Sequence, residues 1–578
     1  MISNPSTRSS SFTEIIRHRS TEEPDALVYT FLTRGDETVP VTCAELDHRA
    51  RTIAAWLQQL GVSGERVLLV YPQGLDFVSA LYGCLYAGAI AVPAYPPHTT
   101  QTARTISRLA TIIGDASPSL ALVAPEFAGA MEGLRRTIGR ERSLRCLPLP
   151  EDTGCSEKEW KPVRVRPSDV VLLQYTSGST ADPKGVIITH SNLLSNCEHM
   201  KRAYGLQRGQ CCVSWLPPFH DMGLIGATFL PAYSGLTAHL MSPFAFLQRP
   251  VRWLKHISSF RAYISGGPNF AYDLCVRRIS SEEKKHLDLS CWKVAFNGAE
   301  PVQPKTLERF AAAFRECGFS SDAFYPSYGL AEATLMVSAA RQKVSTRVLT
   351  LSRSALENNR VEIKAESDTG DICCTVGCGE AGDNVAIVSP ETLTGCTENQ
   401  VGEIWVSGES IAQGYWDRPE ETYSTFNAYR TDTGEGPFLR TGDLGFIKDG
   451  QLFVSGRLKD LLIIAGRNHY PNDIETTVEK SHASIRSGCC AAFTIVVEEE
   501  DRLVVAAELD RRPGANGSND HVEVRLAIKG AVAETHGVQV HAVALLKHGS
   551  IPKTSSGKIQ RRECHGAFIR GEFNLIGD

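Results

Sequence analysis

The sequence predicts an α/β protein with a large parallel-sheet part, a β-rich part and a small α+β part. Three observations carry this. From Phe12 to about residue 337, apolar runs of strand length alternate with helical stretches, the rhythm of parallel strands joined by crossover helices. Between 361 and 454 the runs shorten and glycines crowd the turns (Gly370, Gly377, Gly379, Gly382, Gly402, Gly408), which reads as a β-rich unit. After the turn Gly456-Arg457-Leu458-Lys459-Asp460, helix and strand patterns resume as a compact α+β unit.

Taken in order, helical spacing of Leu46, Ala50, Ile53, Ala54 and Leu57 predicts a helix over Cys43–Leu60, then a strand Arg66–Val70. A buried helix is expected over Asp76–Ala87, a short strand at Ile90–Pro93, an amphipathic helix over Thr102–Gly114 and a strand at Leu120–Ala124. Val170–Leu173 and Val186–Thr189 read as strands around a polar loop, followed by a helix near Ser191–Tyr204 and a strand Cys211–Leu216. Short buried strands are expected at Tyr263-Ile-Ser and Trp292–Asn297, each ending in a polar or glycine-rich turn, where open α/β sheets bind ligands. Tyr325 to Thr334 reads as a strand and a turn opening a helix. The last unit reads as helix Pro471–Ser481, strands Ala491–Val497 and Leu503–Leu509, and helix Val522–Thr535.

A chain of 578 residues exceeds one compact core and implies several folding units. Its 42% hydrophobic and 22% charged content is that of a globular protein. A net charge of −5 gives no footprint for nucleic acid. Met1–Ser11 lacks the apolar core of a signal peptide, and Val67–Pro93 is broken by Pro72, Gly74 and Asp76, so no stable membrane insertion and a cytoplasmic location are expected. The 17 Cys residues are scattered, as suits reduced, buried small hydrophobes.

Tyr175-Thr-Ser-Gly-Ser-Thr-Ala-Asp-Pro-Lys-Gly185 carries the first chemical signal. It offers backbone N–H groups, hydroxyls and one ammonium at one spot, a set suited to polyphosphate. It is not a Walker A loop, since Pro183 stands where the second Gly is required and Gly185 follows Lys184. Five further segments follow: Pro217-Pro-Phe-His-Asp-Met-Gly223, Asn297-Gly-Ala-Glu-Pro301, Tyr325-Pro-Ser-Tyr-Gly-Leu-Ala-Glu-Ala-Thr334, Leu439-Arg-Thr-Gly-Asp443 and Ile551-Pro-Lys-Thr-Ser-Ser-Gly-Lys-Ile559. Taken singly, Asp443 suits a turn cap, Lys558 a solvated charge and Glu332 a helix dipole partner. In this order and spacing, over nearly the whole chain, the six segments resemble the adenylate-forming (ANL) superfamily of acyl-CoA synthetases, luciferases and adenylation domains.

The resemblance implies an N-terminal adenylation domain 1–455, made of two doubly wound α/β subdomains and a distorted β-barrel (about 361–454). A hinge at 456–460 and a small mobile C-terminal domain 461–578 would follow. It also implies ATP as substrate and Mg²⁺ as cofactor. The loop 175–185, with Thr176, Ser177, Gly178, Ser179, Thr180 and Lys184, would hold the β- and γ-phosphates, and Glu332 the Mg²⁺. Gly298, Ala299, Glu300, Tyr328 and Gly329 would line the adenine site. Asp443 would take the ribose hydroxyls, Arg457 ribose or phosphate, and Lys558 would bridge the substrate carboxylate and the α-phosphate. The chemistry agrees: a carboxylate is already ionised at neutral pH and needs no general base, only charge neutralisation and alignment. Such positioning is worth about 7–11 kcal/mol in favourable cases.

Phe219-His220-Asp221-Met222-Gly223 lacks the ammonium-binding context of amino-acid adenylation domains. His220, Asp221 and Met222, with small Gly226, Ala227, Gly266 and Gly267, are expected around the acyl chain; Asp221 itself suits a structural hydrogen-bonding role. Within the superfamily, Cys84–Pro97 and Gly466–Glu475 resemble the fatty acyl-AMP ligases, and extra length within 341–372 resembles their insertion. Lys459 stands where CoA ligases often carry Asp. The implied activity is fatty-acid adenylation, then transfer to the phosphopantetheine thiol of an acyl carrier protein or a polyketide or nonribosomal synthase carrier domain. A fatty acyl-CoA synthetase and a catalytically idle binding module are the alternatives.

Overall fold

The computed structural model describes residues 11–33, 37–97, 102–139, 143–150, 152–176, 183–340, 346–365, 367–368, 370–464, 467–498, 500–510, 518–554 and 557–576. Ser177, Gly178, Ser179 and Thr180 of the polar loop lie outside the described residues.

Two largely parallel sheets form the large lobe. In one, Thr38–Thr42, Leu27–Leu32, Thr237–Met241, Cys211–Ser214, Ile264–Gly266, Val294–Asn297, Phe324–Gly329 and Met336–Ala339 lie side by side, antiparallel only at the two edges. In the other, Arg145–Leu147, Leu120–Val123, Arg66–Val70, Ile90–Pro93 and Val170–Tyr175 are parallel, and Gly185–Thr189 adds an antiparallel edge. Strands such as Ile90–Pro93 and Leu120–Val123 are buried at every residue, which is why they appear in the sequence as continuous apolar runs.

One hydrophobic core spans both sheets and includes helices Cys43–Gln59 and Leu75–Ala87. Gly83 allows these helices to approach, since a Cβ there would lie 2.3 Å from Ile53 Cγ2. A second core of Trp215, Phe246, Trp253, Tyr272, Trp292 and Phe310 packs on the eight-stranded sheet with edge-to-face ring contacts.

The β-rich part is a six-stranded antiparallel sheet ordered Val348–Ser352, Ile372–Glu380, Gln451–Arg457, Leu439–Lys448, Gly402–Val406, Val385–Val388. Strands Ile485–Val497, Glu500–Leu509 and Val540–Leu546 form the last sheet, covered by helices Pro471–Ser481 and Ser518–His536. All 17 cysteines are free thiols, and no described helix is long and apolar enough to cross a membrane.

One local expectation is corrected. No helix opens after Tyr325. The chain makes a single 3₁₀ turn, Ala331–Ala333, and returns as the antiparallel strand Met336–Ala339. Thr334 takes φ +68°, its N–H bonds the Ala331 carbonyl, and its hydroxyl donates to Ser410 O at 2.6 Å. That tether reverses the chain where a helix would continue.

Candidate active site

The C-terminal ends of strands from both sheets point at one cavity of about 1320 Å³. Ala94, Tyr95 and Thr176 come from the smaller sheet; His220, Asp221, Gly298, Ala299, Glu300, Tyr328 and Gly329 follow strands of the larger. Asp443 and Arg457 enter from the β-rich sheet, and Lys558 from the C-terminal unit. Glu332, Met222 and Gly226 also line this cavity.

The glycines there are steric necessities. A Cβ on Gly298 would lie 2.7 Å from Ser327 O, and one on Gly329 would lie 1.9 Å from Leu335 O. Ala299, between Gly298 and Glu300, takes φ +73°, a conformation that costs a non-glycine residue and marks a constrained turn.

Asp443 and Arg457 pair across neighbouring strands, with Arg457 Nε donating to Asp443 Oδ1 at 3.0 Å. The buried Tyr328 hydroxyl donates to Asp443 Oδ2 at 2.8 Å. The Asp443 charge pushes the Arg457 guanidinium above its ordinary range, and burial pushes the Tyr328 phenol up. This is a fixed carboxylate acceptor with lone pairs left for a vicinal diol.

Around Lys558 the field is mixed. Burial lowers its ammonium below the usual lysine range; Asp221 opposes this, Arg457 adds to it, and Glu300 and Asp443 oppose it. Burial raises the Glu300 carboxyl, with Lys558 opposing, and Glu300 Oε1 accepts from Asn269 N at 3.0 Å. Burial also acts to raise the Asp221 carboxyl, but His220 and Lys558 outweigh it and hold it low. Asp221 Oδ1 lies 2.5 Å from His220 Nδ1 and accepts from Met222 N at 2.7 Å. Asp221 therefore fixes the His220 ring and the start of the following helix, in keeping with a structural hydrogen-bonding role.

That helix, Met222–Phe229, is a π-helix: Leu230 N–H bonds Ile225 O and Thr228 Oγ1 donates to Gly223 O. Gly223 is required, since a Cβ would fall 1.9 Å from Pro217 O. π-Turns recur at functional sites, and this one puts Met222, Gly226 and Leu230 on an apolar branch of the cavity with Met200, Tyr204 and Leu335.

Other expected residues stand elsewhere. Ala227 borders a separate void of about 10 Å³ behind Gly226, Leu230, Ile264 and Phe296. Gly266 and Gly267 are absent from the cavity wall. They permit close packing, since Cβ atoms would meet Phe296 O at 2.1 Å and Trp215 Cζ2 at 2.8 Å. Lys184 is also off the wall; it pairs with Glu421 and sits 4.7 Å over the Tyr415 ring. Tyr415 in turn donates to Glu332 Oε1 at 2.9 Å, so one tyrosine separates Lys184 from Glu332.

Four residues escaped the sequence reading. Tyr415 lies between motifs in Gly414-Tyr-Trp416 and carries no signal of its own. Tyr95 and Arg108 line the cavity, and Arg108 donates to Thr176 O at 3.1 Å. Arg561, three residues past Lys558, binds both Glu475 oxygens at 2.7 Å and Asp460 Oδ2 at 3.1 Å; this fork ties the Lys558 segment to the turn at residues 456–460. Only its basic character at that offset was visible in the sequence.

Among the described residues, no group of three or more His, Cys, Asp or Glu forms a metal cage. A Mg²⁺ ion carried by substrate phosphates and one carboxylate needs none, and Glu332 supplies a hard oxygen donor on the wall.

Such a crevice, built by strand ends and completed by a cation from a second unit, defines an adenylate-forming enzyme. The family model described as AMP-binding enzyme matches residues 16–416, and the model for the Disco-interacting protein 2-like AMP domain matches 459–578. JamA of Moorena producens, a medium-chain-fatty-acid–[acyl-carrier-protein] ligase, is 45% identical over 97% of this chain and 95% of its own. FadD32 of Mycolicibacterium smegmatis, a long-chain-fatty-acid–AMP ligase, is 37% identical over 95% and 92%. The crystal structure of fatty acyl-adenylate ligase from Legionella pneumophila, in complex with acyl adenylate and pyrophosphate, aligns at TM-score 0.76. It is 39% identical over 100% of this chain and 99% of that one. The chain belongs to the AMP-binding enzymes, among the fatty acyl-AMP ligases.

Proposed function

We propose that this ligase condenses a medium- or long-chain fatty acid with ATP, releases pyrophosphate, and passes the acyl group to the phosphopantetheine thiol of a carrier protein. The observation that carries this is the shared wall: Lys558 faces the head of the apolar branch at His220 and Asp221 and also the Asp443–Arg457 pair. One cation thus stands between an acyl site and a ribose site.

In the first step a carboxylate oxygen attacks the α-phosphorus, and the bond to the β-phosphate oxygen breaks. Lys558 offsets the repulsion between the two anions and aligns them. Tyr328, with Gly298, Ala299, Glu300 and Gly329, shapes the adenine site; Asp443 holds the ribose hydroxyls and Arg457 the ribose or phosphate. The loop from Thr176 to Lys184 takes the β- and γ-phosphates, Lys184 leaving Glu421 to do so. Glu332 would hold Mg²⁺, which neutralises leaving pyrophosphate when bound. His220, Met222 and Gly226 bound the acyl path, where each buried methylene contributes about 0.8 kcal/mol. Ala227, Gly266 and Gly267 support that wall from behind.

In the second step the thiolate displaces AMP. We assign residues 1–455 to the adenylation domain, 456–460 to the hinge and 461–578 to a rotating domain that serves both steps. Residues 341–372 act as a restraint on that rotation, because helix Arg353–Glu357 touches the C-terminal unit. Glu357 Oε1 lies 3.1 Å from His469 Nδ1, and Arg353 lies 3.2 Å from His536 Nδ1. The cytoplasm, where ATP and carrier proteins meet, is the expected setting.

Incubation with ATP, Mg²⁺, a mixed acid pool and either CoA or a phosphopantetheinylated carrier tests the reading by mass spectrometry. Acyl-AMP and acyl-carrier are expected. Abundant acyl-CoA would replace the carrier with CoA, and no acid-dependent pyrophosphate would leave a binding module.

A further inference from the structure

We propose that the face formed by helices Pro243–Gln248 and Asn269–Arg278 is the docking surface for an acidic carrier domain. This rests on the carrier as acyl acceptor. Residues 243–310 contain eleven Lys or Arg against six Asp or Glu, in a chain whose net charge is −5. On the face itself the second helix carries Arg277 and Arg278 against Asp273, which Arg309 pairs at 2.8 Å; a local field of one sign selects a partner of the other and speeds encounter.

Apolar anchors stand inside this field. Phe244 is 50% and Leu247 45% exposed, and a spacing of three puts them on one side of their helix. The other side is committed: Ala245 and Phe246 are buried, and Phe246 stacks on Trp215 at 4.2 Å. The two helices are joined where Arg278 donates to Leu247 O at 3.2 Å, so a guanidinium borders the apolar pair. Exposed aromatic and aliphatic side chains edged by arginine have the make-up of a protein-binding centre and rim.

The face also adjoins the cavity. Phe270 and Arg277, on the second helix, line it, and Gly557 of the Lys558 segment packs against Phe270. Once the Lys558 segment has swung off Phe270 with its domain, a carrier seated here would lead its arm along Phe270 into the cavity, with Arg277 beside the arm's phosphodiester. A membrane has no such arm, so continuity with the cavity favours a carrier over an anionic lipid surface.

The test is the double variant Phe244→Asp, Arg278→Glu in the full chain. Acyl transfer from preformed acyl-adenylate is measured to a holo acyl carrier protein and, separately, to free pantetheine, alongside acid-dependent pyrophosphate release. The proposal expects kcat/KM for the carrier to fall about tenfold or more. Pantetheine transfer and pyrophosphate release should stay within about twofold of wild type. Added salt should depress wild-type transfer to the carrier and act little on the variant. Unchanged carrier kinetics would overturn the proposal, as would equal losses with pantetheine or a loss confined to anionic vesicle binding. Wild-type enzyme that makes acyl-adenylate but loads no carrier would instead remove the acceptor reading on which the surface rests.

Discussion

Asp443 divides its carboxylate between two neighbours, Arg457 at 3.0 Å and the Tyr328 hydroxyl at 2.8 Å. The arrangement fixes the direction of the carboxylate before any nucleotide arrives. Tyr328→Phe keeps the ring and removes one hydrogen bond to a charged group, worth about 1.5–3 kcal/mol. The KM for ATP in pyrophosphate release should rise about tenfold or more, with a smaller change in kcat; an unchanged KM would show that Asp443 needs no such support. At this scale Gly298, Ala299 and Glu300 were legible because they sit directly after a strand, where side chains converge whatever the rest of the fold does. Lys184 was legible as a cation but not as a partner of Glu421, which is 237 positions away in the chain and joined to it only by folding. Gly266 and Gly267 mark the same limit. A small residue in a sequence suits an open cavity and a tight contact equally, and here the contact wins.

At the scale of elements, helix Arg353–Glu357 clasps the C-terminal unit. Glu357 and His469 are 7% and 2% exposed, and Arg353 also donates to Ile372 O at 2.6 Å, so the short helix grips both its own strand and the C-terminal unit. Contacts of this kind, made in one domain arrangement and absent in another, shift the balance between the two. Arg353→Ala with Glu357→Ala should therefore raise acyl-CoA formation several-fold while acyl-AMP formation persists. Acyl-CoA at the wild-type level, with adenylation intact, would remove residues 341–372 from control of the acceptor. Elements with strong period, such as Leu75–Ala87 and Pro471–Ser481, were legible nearly to their ends. The turn at Ala331–Ala333 was not, because the hydrogen bond from Thr334 to Ser410 comes from a segment 76 residues on.

For the whole molecule, the consequence is one crevice that neither unit completes alone: the large lobe brings the apolar branch, the Asp443–Arg457 pair and Glu332, and the C-terminal unit brings Lys558. The layered α/β plan, the β-rich part and the α+β end were legible from the period and length of apolar runs. How the units face one another was not, because Arg561 and its two carboxylate partners are ordinary surface types in sequence. In the proposed reaction, Lys558 joins two anions. Single-turnover formation of acyl-AMP by Lys558→Ala, with ATP binding followed by calorimetry, measures that directly. The expected result is a rate at least about 10²-fold lower, with ATP affinity nearly retained; a variant that forms acyl-AMP at the wild-type rate would contradict it.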